Sequence, residues 1–393
     1  MQVRDPATAL ADSLRALRAA RSAQTSFESF RRRRLPPGDA FDGPCDIHIG
    51  RYCYWRGDDD NADDDNPPVE AADIRARREK LIQLLDSLSD RVPGDAWLAG
   101  QRVRYLVEAG RASGALHFAS ADCHADASWC ASLGGYAAQL GERFAEADSA
   151  YRVALAAMDP AQRCRWLDLS DDLDDGLADR FKSVPCADRE AFVRRLAWYG
   201  APLYSVSPTD LLTEHLARLT RARIAEHSAT TDGEAWGDDV RELTVRYGWS
   251  HWYTRADPPL GSQRDPSYTG HDVGHAYDFL PSVRAVDSLG MVTAADWHLD
   301  DPRASTGYAP AYARSIHAVP NQIAVFRRGD STLVVAAWDA RRDTTLIGRA
   351  LDAALVLTTG PDAVTIARRA DAGAVGRIWV EGVADSAMAS LEL

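Results

Sequence analysis

The sequence predicts an α+β protein of several domains, helical through its first half and closed by a small β-sandwich. Three observations carry this. Apolar residues recur at helical spacing from 69 to 160, and short β-branched runs alternate with turn residues from 321 to 393. The length, 393 residues, exceeds what one hydrophobic core usually serves. Composition is that of a globular chain, 46% hydrophobic and 26% charged. No apolar run approaches the roughly 18 residues needed to cross a bilayer. A formal charge of −13 argues against nucleic acid as a partner, because phosphate binding needs clustered cations.

Residues 1–68 read as one helix followed by a stapled, acidic linker. Leu10, Leu14 and Leu17 form a helical stripe, and Arg31, Arg32, Arg33 and Arg34 read as a solvated helix end before Pro36 and Pro37. Segment 57–68 carries six aspartates but neither the glycine nor the closing glutamate of a calcium loop, so it reads as a solvated linker. Segment 1–34 lacks the apolar core of a secretory signal, so a mature domain without its signal is expected.

The helical domain, 69–165, is read from its apolar faces. Ile74, Leu81, Ile82, Leu85 and Leu88 make the first. Trp97, Val103, Leu106 and Val107 make the second, stopped near Gly110. Trp129, Leu133, Tyr136 and Leu140 make the third, with Gly141 as its C-terminal cap. Phe144, Tyr151, Leu155 and Met158 follow, and Pro160 ends the run. Gly135, Ala147, Tyr151 and Ala154 fall where the helices of a tetratricopeptide hairpin touch. Gly110 with Ala115 and Ala119 echoes the Gly141 unit about 31 residues later, close to the roughly 34 of that repeat. The region resembles tetratricopeptide repeats, which implies a concave, partner-binding surface capped by flanking helices.

Residues 166–255 carry a second resemblance. Asp188 to Phe192, Trp198, Pro202 to Tyr204, and Glu214-His215 with Arg218 and Arg221 are similar to the helical part of the bacterial GWxTD domain. The naming motif aligns with Ala235-Trp236-Gly237-Asp238-Asp239, where alanine stands for the leading glycine and aspartate for threonine. The resemblance implies an envelope or secreted protein and carries no catalytic residue. On physical grounds 240–246 reads as a half-buried strand, with Asp238 and Asp239 as turn residues and Arg241 and Arg246 in ion pairs. Trp236, Asp238, Asp239, Arg241 and Trp249 then form a structural junction between helical and β parts.

Residues 256–320 read as a long ordered loop. Strands are expected at 322–327, 332–338, 354–358, 364–367 and 377–380, within a β-sandwich-like domain spanning 321–393. Arg328-Gly329-Asp330 reads as the turn joining the first two rather than as an adhesion motif. The chain stops inside an expected strand at Leu391-Glu392-Leu393, so a fragment is expected at that end.

Chemistry is sparse. Six cysteines fall in close pairs, Cys45 with Cys53, Cys123 with Cys130 and Cys164 with Cys186. An even count at such spacings fits disulfides formed outside the cytoplasm. His271 and His275 are the best metal candidates, but Gly270 and Gly274 disfavour the helix that would let them share an ion. No Gly-x-Ser-x-Gly elbow supplies a serine nucleophile, and His124, His215 and His251 are scattered. The reading is a secreted, periplasmic or envelope protein that binds or scaffolds other proteins, with no metal or cofactor. A hydrolase working between helical and β parts and a purely structural envelope component are the alternatives.

Overall fold

The computed structural model describes residues 6–38, 45–56, 67–206, 209–272, 279–287, 296–297, 319–360, 363–382 and 388–393. In chain order the helices are α1 (Pro6–Arg32), α2 (Ala72–Ser89), α3 (Ala96–Glu108), α4 (Ala112–His117), α5 (Ala127–Leu140), α6 (Phe144–Ala157) and α7 (Pro160–Trp166), then α8 (Asp175–Lys182), α9 (Cys186–Tyr199), α10 (Asp210–Ala225), α11 (Asp238–Tyr247) and α12 (Val283–Asp287). The strands are β1 (Ile47–Ile49), β2 (Tyr52–Arg56), β3 (Trp252–Ala256), β4 (Ser267–Asp272), β5 (Asn321–Arg328), β6 (Ser331–Asp339), β7 (Ala353–Gly360), β8 (Ala363–Arg369), β9 (Val375–Gly382) and β10 (Met388–Glu392). The chain divides into two compact units, 1–172 with 213–274, and 173–212 with 275–393.

In the first unit, α1, α2 and α3 share a core of Ala16, Ala20, Phe27, Ile74, Leu81, Leu85, Leu98 and Tyr105. The α2 face is the one its spacing predicts. The α1 face is so only in part: Leu17 packs against this core, but Leu10 and Leu14 are exposed, and the buried side holds Ala16, Ala20, Gln24, Phe27 and Glu28. Small residues let α1 approach closely, and its buried polar side chains have partners inside. Arg31 and Arg32 also turn inward rather than ending in solvent. Several aspartates are spent on helix starts, where a carboxylate accepts otherwise orphaned amides. Asp95, Asp126 and Asp159 cap α3, α5 and α7 in this way. Pro160, expected to end a helix, also opens the next at a position where its missing N–H costs nothing.

Helices α5 and α6 form a tight hairpin. α5 is buried on nearly all sides, and Gly135 lies against the Tyr151 ring, where an added Cβ would sit 2.7 Å from ring carbons. Gly110 ends the α3 turn at φ +72°, a conformation that favours glycine.

A four-stranded sheet of order β1-β2-β4-β3 completes this unit, with β2 and β4 parallel and the other pairs antiparallel. Segment 240–246, read as a strand, is the body of helix α11. Val240, Leu243 and Thr244 recur at i, i+3 and i+4 and form its buried face. Asp238 and Asp239 sit in the first turn, where negative charge suits the helix dipole, and Gly248 stops the helix at φ +89°. Leu243 packs with Tyr52 and Tyr54 of β2. Arg241 and Arg246, expected in ion pairs, meet no carboxylate within 4.0 Å among the described residues. The stretch 256–320, expected as loop, contains β4 and α12.

The second unit holds two three-stranded antiparallel sheets, β10-β7-β8 and β5-β6-β9. Their inner faces contribute to one core: Val334, Ala336 and Trp338 from β6, Ile378 and Val380 from β9, Leu355 and Leu357 from β7. The opposite face of β7 is also buried, with Val356 among Trp198, Tyr199 and Tyr204. Gly329 and Asp330 form the β5–β6 turn, as the sequence suggests. Glu392 of β10 is buried and accepts the backbone amides of Tyr204 (2.8 Å) and Ser205 (3.0 Å).

Adjacent glycines of α5 should respond oppositely to alanine. Gly134→Ala meets only ordinary contacts of 3.7 Å and should gain up to about 1 kcal/mol of helix propensity. Gly135→Ala must displace the Tyr151 ring and should lose about 1–3 kcal/mol. Urea melts of the two variants check this, and equal midpoints would contradict the close hairpin.

Candidate functional site

Two polar features of the first unit compete for a functional role. One is a buried ion network between α1 and α3. The Glu28 carboxylate is fully buried and accepts from Arg104 Nη2 (2.8 Å), Tyr105 Oη (2.6 Å) and Thr231 Oγ1 (3.0 Å). Arg104 Nε donates to Glu108 Oε1 (2.8 Å), and Arg31 Nη1 to Glu108 Oε2 (2.9 Å). Gln24 donates to Tyr105 Oη (3.0 Å). Burial alone would raise the Glu108 carboxyl, but the Arg104 and Arg31 guanidiniums outweigh it and hold it well below 4.5. Burial pushes Tyr253, at the edge of this cluster, up to about 12. Each carboxylate here is matched by guanidinium or hydroxyl donors, which is the chemistry of a structural network.

The other is a cavity of about 670 Å³ among Trp166, Trp236, Arg223, Arg241, Glu226 and Asp238. Trp166 ends α7, Arg223 lies in the last turn of α10 with Glu226 just beyond it, Trp236 precedes α11, and Asp238 and Arg241 lie within α11. Its walls are fixed from behind. Arg223 stacks over the Trp129 ring at 4.1 Å, and desolvation lowers its guanidinium despite Asp126 and Glu226. Ser228, on the wall, accepts from Trp97 Nε1 (2.9 Å) and Gln101 Nε2 (2.8 Å) of α3. The Trp166 carbonyl lies 3.1 Å from His215 Nε2. Neither guanidinium, Arg223 nor Arg241, makes a side-chain hydrogen bond or ion pair among the described residues.

The residues singled out from sequence are dispersed. His271 belongs to β4, not to a helix. It stacks on Trp252 (centroids 3.6 Å, interplanar 2°), meets Trp55 edge-on, and pairs through Nε2 with Thr254 Oγ1 (2.8 Å). His275 and the 57–66 part of the aspartate loop lie outside the described residues. No group of three or more metal-type side chains gathers among the described residues. His215 has both ring nitrogens engaged, Nδ1 with Asp172 Oδ2 at 2.6 Å and Nε2 with the Trp166 carbonyl, so it ties α10 to the preceding loop.

Cys45–Cys53 and Cys123–Cys130 are disulfides with Cα atoms 5.5 and 5.8 Å apart, as their spacing suggests. Cys164 and Cys186 are also disulfide-bonded, and no cysteine is free. Of the junction residues, Trp236, Asp238 and Arg241 line the cavity and Asp239 is exposed beside it. Trp249 packs edge-on against Tyr136 of α5 (5.6 Å), while Arg218 of α10 donates to the Val245 and Arg246 carbonyls that end α11. Sequence reasoning missed Arg223, Glu226 and Trp166, because no local pattern links the ends of α7 and α10 to the start of α11. Among known proteins, no family model, curated protein or solved structure matches the chain.

Removing Arg104 strands Glu28 in the interior, so Arg104→Met should cost about 3–5 kcal/mol, most of it recovered by adding Glu28→Gln. Because Glu108 is held below its usual value, its contribution is fully present above about pH 4.5 and is lost as pH falls through the depressed value. Glu108→Gln should therefore flatten the acid limb of a melting-temperature profile. An unchanged acid limb would show that the carboxylate gains nothing from its arginines.

Proposed function

We propose that this chain is a secreted or envelope-associated protein that works by binding and scaffolding other proteins. The helical hairpins support a tetratricopeptide-like reading, with Gly135 and Tyr151 in the close approach such hairpins need. The C-terminal sheets, with their common core, support a small β-sandwich. Cysteines that are all bonded fit an oxidising compartment. The GWxTD-like middle is consistent with the same setting.

The observation that carries the proposal is the outer face of the β5-β6-β9 sheet. Ala324, Val335 and Trp379 lie side by side across its three strands, and Phe326 faces Leu333 in the neighbouring row. Phe326 is 58% and Trp379 56% exposed. Among the described residues, β5 pairs on one side only, and Ile323 and Val325 are exposed on its other face. An open apolar edge strand is a hazard unless something covers it, and partner proteins commonly add a strand at such edges. Two of the groups a hydrolase would draw on are engaged: His215 has both nitrogens occupied and each cysteine is bonded.

The double variant Phe326→Asp/Trp379→Asp should melt close to wild type, since both side chains are exposed. It should also lose the partner that cross-linking recovers with the wild-type chain from envelope extract. Equal recovery by both chains would reject the sheet as the binding face.

A further inference from the structure

We infer that the cavity between α7, α10 and the start of α11 is a binding site for a neutral, polyhydroxylated ligand, a short oligosaccharide. This inference does not depend on the protein-binding face of the other unit. The charge pattern is the first argument. Arg223 and Arg241 share the cavity with Glu226 and Asp238, so an anion meets two carboxylates and a cation meets two guanidiniums. A ligand with hydroxyls and no charge escapes both penalties. Vicinal hydroxyls also match each group: a guanidinium donates two parallel N–H bonds, and a carboxylate accepts two O–H bonds. Both guanidiniums have their donors uncommitted among the described residues.

The aromatic residues are the second argument. Trp166 and Trp236 are half-buried in the cavity wall, and an indole offers the flat apolar surface on which the C–H face of a sugar ring packs. The volume, about 670 Å³, lies within the range of small-molecule sites and accommodates on the order of two or three sugar rings.

Preorganisation is the third. Arg223 lies over the Trp129 ring, the Trp166 backbone is tied to buried His215, and Ser228 is anchored to α3. At the rim, His227 adopts φ +59° just beyond the end of α10, where glycine is the usual residue. A non-glycine residue is strained there, and it places an imidazole at the mouth of the cavity.

The test is to probe the purified full chain against an array of neutral, anionic and zwitterionic glycans together with charged and zwitterionic dipeptides. Any hit is then titrated by calorimetry. A neutral oligosaccharide should bind saturably. Trp236→Ala should weaken it at least about tenfold, as expected for loss of an aromatic anchor. Arg241→Met, a change at an exposed side chain, should also weaken it and leave the melting temperature unchanged. A blank array, a preference for charged glycans or dipeptides, or neutral-glycan binding that survives both substitutions would overturn the assignment.

Discussion

Glu28 and Glu108 sit between arginines that two helices supply from distant parts of the chain, and the first unit is arranged around that exchange. Helix α1 brings Glu28 and Arg31, and helix α3 brings Arg104 and Glu108. Any axial slip of α1 on α3 would leave a carboxylate or guanidinium buried without its partner, at a cost of several kcal/mol. Apolar packing alone would not be so selective, because Ala16 and Ala20 fill any register about equally well. The network also reaches the segment after α10 through Thr231 and Gln24, whose side chain bridges Tyr105 and the Ala229 backbone. The chain around the cavity is therefore held by the same set of charges.

The cavity differs from that network in the state of its ions. Inside, each carboxylate has matched donors. At the cavity Arg223 is positioned over Trp129 and Arg241 stands exposed, and both guanidiniums are uncommitted among the described residues. Structural charges are satisfied by their neighbours, whereas recognition needs groups that are positioned and still available. That contrast, and not the number of charges, separates the two features.

Much of the local structure was legible in the sequence. The α2 face, the turn at Gly110, the α5–α6 contact and the β5–β6 hairpin follow from spacing and turn chemistry that act over a few residues. The failures have identifiable causes. Leu10 and Leu14 make a better apolar stripe than the true buried face of α1, whose Gln24 and Glu28 look solvent-directed until Tyr105 and Arg104 are seen beside them. Segment 240–246 has valine, leucine and valine close enough to suggest alternation, yet Val240 and Leu243 fit a helical period. The first-turn aspartates and Gly248 mark its ends. His271 and its glycines suggested a loop, while its place is set by parallel pairing with β2, which no local pattern announces. The cavity was half visible: Trp236, Asp238 and Arg241 stand together in the chain, but the groups they face come from α7 and α10.

The parallel pairing of β2 with β4 sets Tyr52 beside Tyr268, across most of the length of the first unit. Such a contact closes a very long loop, so its entropy must be met before the contact gives anything back. During synthesis the β1–β2 hairpin emerges far ahead of the strand it needs, with an aromatic face and an unpaired edge. The Cys45–Cys53 bond, with a sequence separation of only 8, ties the segment just before β1 to β2 and so holds that hairpin closed while it waits. In a reducing environment the same hairpin would be left as a loose, sticky ribbon. The disulfide thus contributes to the order of assembly as well as to the durability of the finished fold.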